Sequence, residues 1–255
     1  MHLQLAGRRA IVTGGSRGIG LAVARGLVAE GASVALVARG ADALEEAARA
    51  LSGVAVAADD GLDAALAARE PLVIGVPTDT GSDDSVAAML SRVVDDFGGV
   101  DILVNAAATP NRGGFGEETL EDEINVKVRG YLRCARAVAP LMTAQGWGRI
   151  VNVSGLAARQ TGSVVGSVRN VAVAALTKNL ADELGPAGIN VTVVHPGPTV
   201  TERLPPADPA SVSIGRLVTA TEVADVIVFL CSPRSVAING DAIAVGGGAR
   251  GSIHY

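Results

Sequence analysis

The chain has 255 residues and a formal net charge of −5, a length that one α/β domain commonly fills and a balance that offers nucleic acid no basic footprint. Apolar residues make up 49% of it but aromatic residues only 2%, so the expected core is Val, Leu, Ile and Ala, as where helices cover both faces of parallel strands. No apolar run reaches about 18 uncharged residues, which argues against a membrane-spanning helix.

Short apolar runs alternate with longer helical patterns, the signature of repeated βαβ units. In chain order the pattern predicts a strand at 10–13, a helix at 18–30, a strand at 33–38 and a helix at 42–51. A further short helix is expected in the apolar, Asp-rich stretch before residue 70, with Asp59 or Asp60 as its N-cap. Then come a strand at 72–76, a helix at 83–97, a strand at 102–105, one long helix at 120–144 and a strand at 150–153. The chain closes with a helix at 164–184, a strand at 189–195, a helix at 222–230 and a strand at 242–245. Between residues 201 and 217, Pro205, Pro206 and Pro209 argue against a helix. Residues 1–255 show no repeat and no linker, so the expectation is a single domain of the α/β class. Its core is a Rossmann-type, doubly wound, parallel seven-stranded sheet in three layers. Cys134 and Cys231 lack metal-ligand spacing and are expected to be buried thiols. The N-terminal residues lack the layout of a secretory leader, and a cytoplasmic protein without a metal is expected.

The first strand runs into T-G-G-S-R-G-I-G, residues Thr13 to Gly20, at the opening of the first helix. In that context a glycine-rich string is a dinucleotide cradle. Gly14 permits the tight turn, Gly18 lets the backbone approach a pyrophosphate, and Gly20 lets helix and strand pack closely. Ser16, Arg17 and Ile19 complete the turn, whose free N–H groups face the anion at the helix N-terminus. The second strand ends in Ala38 and Arg39 where NAD-binding chains place a carboxylate for the ribose hydroxyl. Arg39 and Arg17 instead suit a 2′-phosphate as charge-assisted partners, so NADP is expected ahead of NAD.

The run A-L-T-K-N-L-A-D-E-L-G-P-A-G-I-N-V-T-V-V-H-P-G, residues Ala175 to Gly197, together with the glycine turn, resembles the short-chain dehydrogenase/reductase family, in particular its 3-oxoacyl-ACP-reductase-like members. The likeness extends over essentially the whole chain. It implies that Asp79 and Thr80 of V-P-T-D-T meet the adenine. Asn105, Ala106 and Ala107 of I-L-V-N-A-A-A take the place of the family's Asn-Asn-Ala-Gly, with Ala108 where glycine is usual. Pro196, Gly197 and Thr199 (or Thr201) of H-P-G-P-T-V-T hold the nicotinamide carboxamide. Relative to the family, the chain is longer before Asp79 and shorter between 201 and 217, where a lid usually lies.

The resemblance also implies a departure. The family reduces carbonyls with a Tyr-x-x-x-Lys pair, a serine and an asparagine. Counting back from Ala175 puts the tyrosine position at Gly166 and the lysine position at Asn170. Gly155 takes the serine position, leaving Ser154 beside it, and Lys127 takes the asparagine position. Asn125, two residues earlier, turns about 200° away. Asparagine and lysine thus look exchanged between two facing helices, and the candidate catalytic set is Lys127, Ser154 and Asn170. His195 is a weaker proton donor, Arg169 a clamp for an anionic substrate, and Lys178 lies about 12 Å along its helix from Asn170. Tyr131 is expected to pack within its helix, and Tyr255 is a frayed terminus.

Three functions follow. The first is an NADP-dependent oxidoreductase with a rebuilt proton donor, acting on a carbonyl, imine or activated alkene of a small-molecule substrate. The second is a silent nucleotide-binding subunit in a mixed oligomer with an active relative. The third is non-redox chemistry on the same fold. The resemblance implies assembly, as a homo-oligomer (dimer or tetramer) or a mixed one, through the helices at 120–144 and 164–184.

Overall fold

The computed structural model describes residues 2–54, 56, 71–108, 117–202 and 208–250. The expected helix near Asp59 and Asp60, the prolines Pro205 and Pro206, and Tyr255 lie outside the described residues. In chain order the elements are β1 (Arg9–Thr13), α1 (Gly18–Ala29), β2 (Ser33–Ala38), α2 (Ala41–Leu51), β3 (Val73–Pro77), α3 (Asp83–Phe97), β4 (Ile102–Asn105) and α4 (Glu117–Glu123). A π-helical turn (Ile124–Arg129) leads into α5 (Gly130–Gln145), β5 (Gly148–Val153), α6 (Val164–Leu184) and β6 (Ile189–Pro196). The chain continues through β7 (Thr199–Val200), β8 (Val218–Thr219), α7 (Ala220–Leu230) and β9 (Ala242–Val245).

Seven strands form one sheet in the order β3-β2-β1-β4-β5-β6-β9, and every pairing in it is parallel. Alternation along the strands builds two cores. Ala10, Val12, Val34, Leu36, Ile102 and Val104 face α1, α2 and α7. Ile11, Ala35, Val37, Leu103 and Ile150 face α3, α5 and α6. The result is the expected α/β Rossmann fold in three layers, with apolar strands buried on both faces. Cys134 and Cys231 are free thiols inside it. None of the described helices is long and apolar enough to cross a membrane.

The connections run one way from β1 and the other way from β4, and these two strands are neighbours. The crevice beyond their carboxyl ends is therefore the topological switch point, where such sheets bind ligands. Ser82, Ser163 and Thr219 accept hydrogen bonds from the first turns of α3, α6 and α7, whereas α1, like α2, has no side-chain cap and leaves its N–H groups open.

The region expected as one helix at 120–144 is divided by the π turn. The Gly130 N–H donates to the Asn125 carbonyl, five residues back, which takes up extra residue length without ending the helix. A β-carbon at 130 would lie 3.0 Å from the Thr80 carbonyl, so a side chain there would press on that backbone. The expected 201–217 segment carries no α-helix among its described residues. It has a short 3-10 turn at Pro209–Ser211 capped by Asp208, and its two ends are joined by the parallel β7–β8 ladder. That ladder is two residues long, too short for an alternating pattern to reveal.

Asp101 binds the amino ends of β1 and β4 together. Its carboxylate accepts from the Arg9 backbone N–H at 2.9 Å and from Arg9 Nε at 2.7 Å, and its side chain is only 6% exposed. Asp101→Ala is expected to cost about 2–3 kcal/mol, because a buried backbone donor and a guanidinium lose their acceptor. Urea unfolding should show a lower midpoint at unchanged slope.

Candidate functional site

At the end of β1 the Thr13 hydroxyl oxygen accepts from the N–H groups of Ala106 (3.1 Å) and Ala107 (3.2 Å), fixing the loop after β4 against the loop after β1. Gly14 has φ +69°, and a β-carbon there would lie 2.7 Å from the Ala106 carbonyl oxygen. At Gly20 a β-carbon would collide with the Gly14 carbonyl. The open N-terminus of α1 thus sits against bare backbone, the arrangement that holds an anion.

This backbone floors a cleft of about 660 Å³. Gly14, Ser16, Arg17, Gly18, Ile19 and Gly20 line its centre. Arg39, Asp79 and Thr80 line one end, and Ala106, Ala107, Pro196, Gly197 and Thr199 the other, together with Lys127 and Ser154. Two expected site residues, Asn105 and Asn170, are not on its wall. Asn105 is wholly buried, its amide donating to Asn152 Oδ1 at 3.0 Å; Asn152 in turn donates to Thr177 on α6. That chain of amides ties β4 and β5 to a helix, while Asn105 Oδ1 is buried without a partner among the described residues. Asn170 is buried behind Ser154, its backbone carbonyl accepting the Ser154 hydroxyl at 3.0 Å. Ala108 keeps a negative φ, since Gln4 is the sole non-glycine residue described with a positive one.

Lys127 on the π turn is buried, and its Nζ donates to the Ser154 carbonyl at 2.9 Å. Asn125 points elsewhere, accepting from Arg133 at 3.0 Å through its side-chain oxygen. Burial pulls the Lys127 amine down from 10.5 to about 7; the Arg169 charge adds to that fall and the Glu123 charge opposes it. Such a depression follows from desolvating an ammonium. At the start of α6, the Gly166 N–H donates to the capping Ser163 hydroxyl at 3.0 Å, and a β-carbon on Gly166 would lie 2.9 Å from that oxygen. Asn170 presents its amide to Gly155, whose hypothetical β-carbon would meet Nδ2 at 3.2 Å.

Three further residues have their contacts shown. Arg169 pairs through Nη1 with Glu123. Lys178 is exposed and pairs with Asp182. Tyr131 is buried within α5 and donates its hydroxyl to the Val153 carbonyl at 2.9 Å, its ionisation pushed far up by burial. His195 is buried within β6. Sequence reasoning missed Val126, Pro198 and Glu202 on the cleft wall, and it missed Glu123. Glu123 stands four residues before Lys127, a Glu–Lys spacing that puts both on one helix face and was readable.

Fold and site together define a dinucleotide-binding protein of the Rossmann class. Residues 14–250 match the family model described as Enoyl-(Acyl carrier protein) reductase. The short-chain reductase protein NovJ of Streptomyces niveus is 34% identical, over 94% of this chain and 92% of that one. A 3alpha-hydroxysteroid dehydrogenase of Mediterraneibacter gnavus is 32% identical, over 98% and 100%. The crystal structure of L-sorbose reductase from Gluconobacter frateurii, complexed with NADPH and L-sorbose, superposes with a TM-score of 0.88. It is 30% identical and covers 99% of this chain and 100% of that one. The chain belongs to the short-chain dehydrogenase/reductase family, the NAD(P)-dependent short-chain oxidoreductases.

Gly14→Ala should weaken NAD(P)H binding at least about tenfold, through a strained φ and displacement of the Ala106 carbonyl. Fluorescence titration checks the affinity. In parallel, the nucleotide-dependent rise in melting temperature should shrink, as mass action requires.

Proposed function

We propose that this chain is an NADP(H)-dependent reductase of a carbonyl, imine or activated alkene, in which Lys127 supplies the proton that a tyrosine gives in its relatives. The observation that carries the reading is the buried Lys127 amine on the cleft wall, held by the Ser154 carbonyl and brought near 7. Alignment by family pattern puts Gly166 at the tyrosine position and Asn170 at the lysine position. No tyrosine hydroxyl among the described residues faces the cleft: Tyr131 is spent on Val153.

The residues present fit the cofactor. The uncapped α1 N-terminus, the Gly14 and Gly18 backbones at positive φ and a cleft running from Arg39 to Thr199 suit an elongated dianion. Arg39 at one end of the cleft and Arg17 in the glycine turn beside it are both exposed, and neither is paired with a carboxylate among the described residues. That supports NADP over NAD. When bound, the cofactor supplies a hydride to the substrate.

The chain's own residues then handle the proton. Lys127, as an ammonium, gives a proton to the oxygen, nitrogen or carbon that becomes electron-rich. The Ser154 carbonyl aims Nζ from behind, while the Ser154 hydroxyl is turned inward to Asn170. An acid near the working pH is best placed both to give and to regain a proton.

The sign of the pH effect follows. The acid form of Lys127 is present below about 7 and is lost as pH rises through that value, so kcat for reduction should fall on the alkaline side. Lys127→Met should cut kcat at least about 100-fold and flatten that limb. Unchanged turnover would remove Lys127 from the chemistry. The same variant has a stability signature. The folded amine binds its proton less readily than an unfolded lysine, so the penalty is full below about 7 and fades toward 10.5. K127M should therefore be more stable than the parent by about 2–4 kcal/mol in mild acid, with the gain shrinking as pH rises.

Arg39→Asp should lower NADPH affinity at least about tenfold, the worth of one charge-assisted hydrogen bond, and leave NADH affinity little changed. Titration with both nucleotides checks it.

A further inference from the structure

Behind Lys127 lies an ion pair that the chemistry above does not use. Arg169 on α6 donates through Nη1 to Glu123 Oε2 at the end of α4. The side chains are 13% and 3% exposed. Glu123 Oε1 and Arg169 Nε are buried and have no hydrogen-bond partner among the described residues. A buried pair with unfilled valences contributes little to stability, since desolvation offsets attraction. Its presence at this place needs another reason.

The pair spans the two elements that face each other across the amine. Glu123 leads directly into the π turn that carries Lys127, and Arg169 immediately precedes Asn170, whose carbonyl holds Ser154. The groups shown to act on the amine are Glu123 from its own helical run, Arg169 from α6 and the Ser154 carbonyl after β5; the Tyr131 hydroxyl is spent on Val153 and the Asn170 carbonyl on the Ser154 hydroxyl. The cleft wall adds Arg17, Arg39, Asp79 and Glu202.

We propose that the Glu123–Arg169 pair is a positioning element for Lys127, pinning the π turn to α6 and deciding how much of the amine carries a proton at neutral pH. The proposal deepens the reading of Lys127 as proton donor and rests on it. The two partners act in opposite senses. Arg169 repels a proton on Lys127 and Glu123 attracts one, with the arginine the stronger influence. Neither side chain touches substrate; both act through the amine.

The chain has two lysines, Lys127 and Lys178, which makes a direct titration clean. Full-length protein is acetylated with trace acetic anhydride across a wide pH range. Acetylation at each lysine is read by peptide mass spectrometry, with exposed Lys178 as internal reference. Arg169→Met is expected to raise the Lys127 midpoint by at least about one unit, and Glu123→Gln to lower it by a similar amount. Arg169→Lys should restore the parent value. Should the single neutralisations not fold, the double variant E123Q/R169M leaves no unpaired buried charge and should show a smaller upward move. Midpoints that stay at the parent value in folded R169M, or in the double variant, overturn the proposal. Midpoints that move while the pH profile of reduction stays fixed uphold the pair's control of the amine and overturn Lys127 as donor, so the two readings fail separately.

Discussion

The Thr13 hydroxyl, at the end of β1, accepts from two successive N–H groups of the loop after β4, and the geometry of the cleft is set by that junction. It brings the Ala106 carbonyl so close to Gly14 that no side chain fits between them. β1 and β4 are the neighbours from which the chain departs in opposite directions, so this contact holds the two lips of the crevice at a fixed separation. With the lips fixed, the first turn of α1 can present unfilled N–H groups to the space between them. The other described α-helices of the outer layers that have side-chain caps are capped by Ser82, Ser163 and Thr219. The contrast is physical: donors satisfied by the protein are unavailable to an anion.

The second constraint is the burial of one amine. An ammonium taken from water is expensive unless a partner meets it. Here the compensation is a single carbonyl, that of Ser154, with an arginine and a glutamate pulling in opposite directions. This leaves Lys127 neither firmly charged nor firmly neutral. A phenol lowered by a neighbouring cation and an amine lowered by burial are two routes to a proton donor working near neutral pH. The second requires less of its neighbours, because exclusion of water does most of the shifting. At Gly166 a β-carbon would lie 2.9 Å from the helix-capping Ser163 hydroxyl.

Much of the fold was legible in the residues. β2, β4 and β9, along with α3 and α6, lie where the patterns put them, because short apolar runs between turn signals and long helical runs are clear enough to be counted. The break in the helix leading to α5 was not legible. A π turn preserves helical composition, and its mark is a shift in which side a residue faces. Lys127, on the cleft, and Asn125, held by Arg133, do lie apart as their two-residue spacing implies. The glycine turn was readable as a site because backbone needs alone dictate it. Asn105 shows the opposite: its motif lies in the expected place, yet its amide serves a chain of buried hydrogen bonds to α6. Arg169 likewise lies on the expected helix, but Glu123 reaches it first. A sequence names donors and charges; it does not say which of several partners will claim them.

The β7–β8 ladder joins Val200 to Thr219 and Thr199 to Val218, so the chain between them leaves and re-enters the body at one place, and its described part is tied down again where Val212 pairs with Ala249. Thr199, at that junction, donates its hydroxyl to the Gly197 carbonyl at 2.8 Å. Closing such a circuit grows only logarithmically more demanding with its length. A longer excursion beyond the ladder therefore adds little to the cost of closure, while the turn beneath it keeps its register.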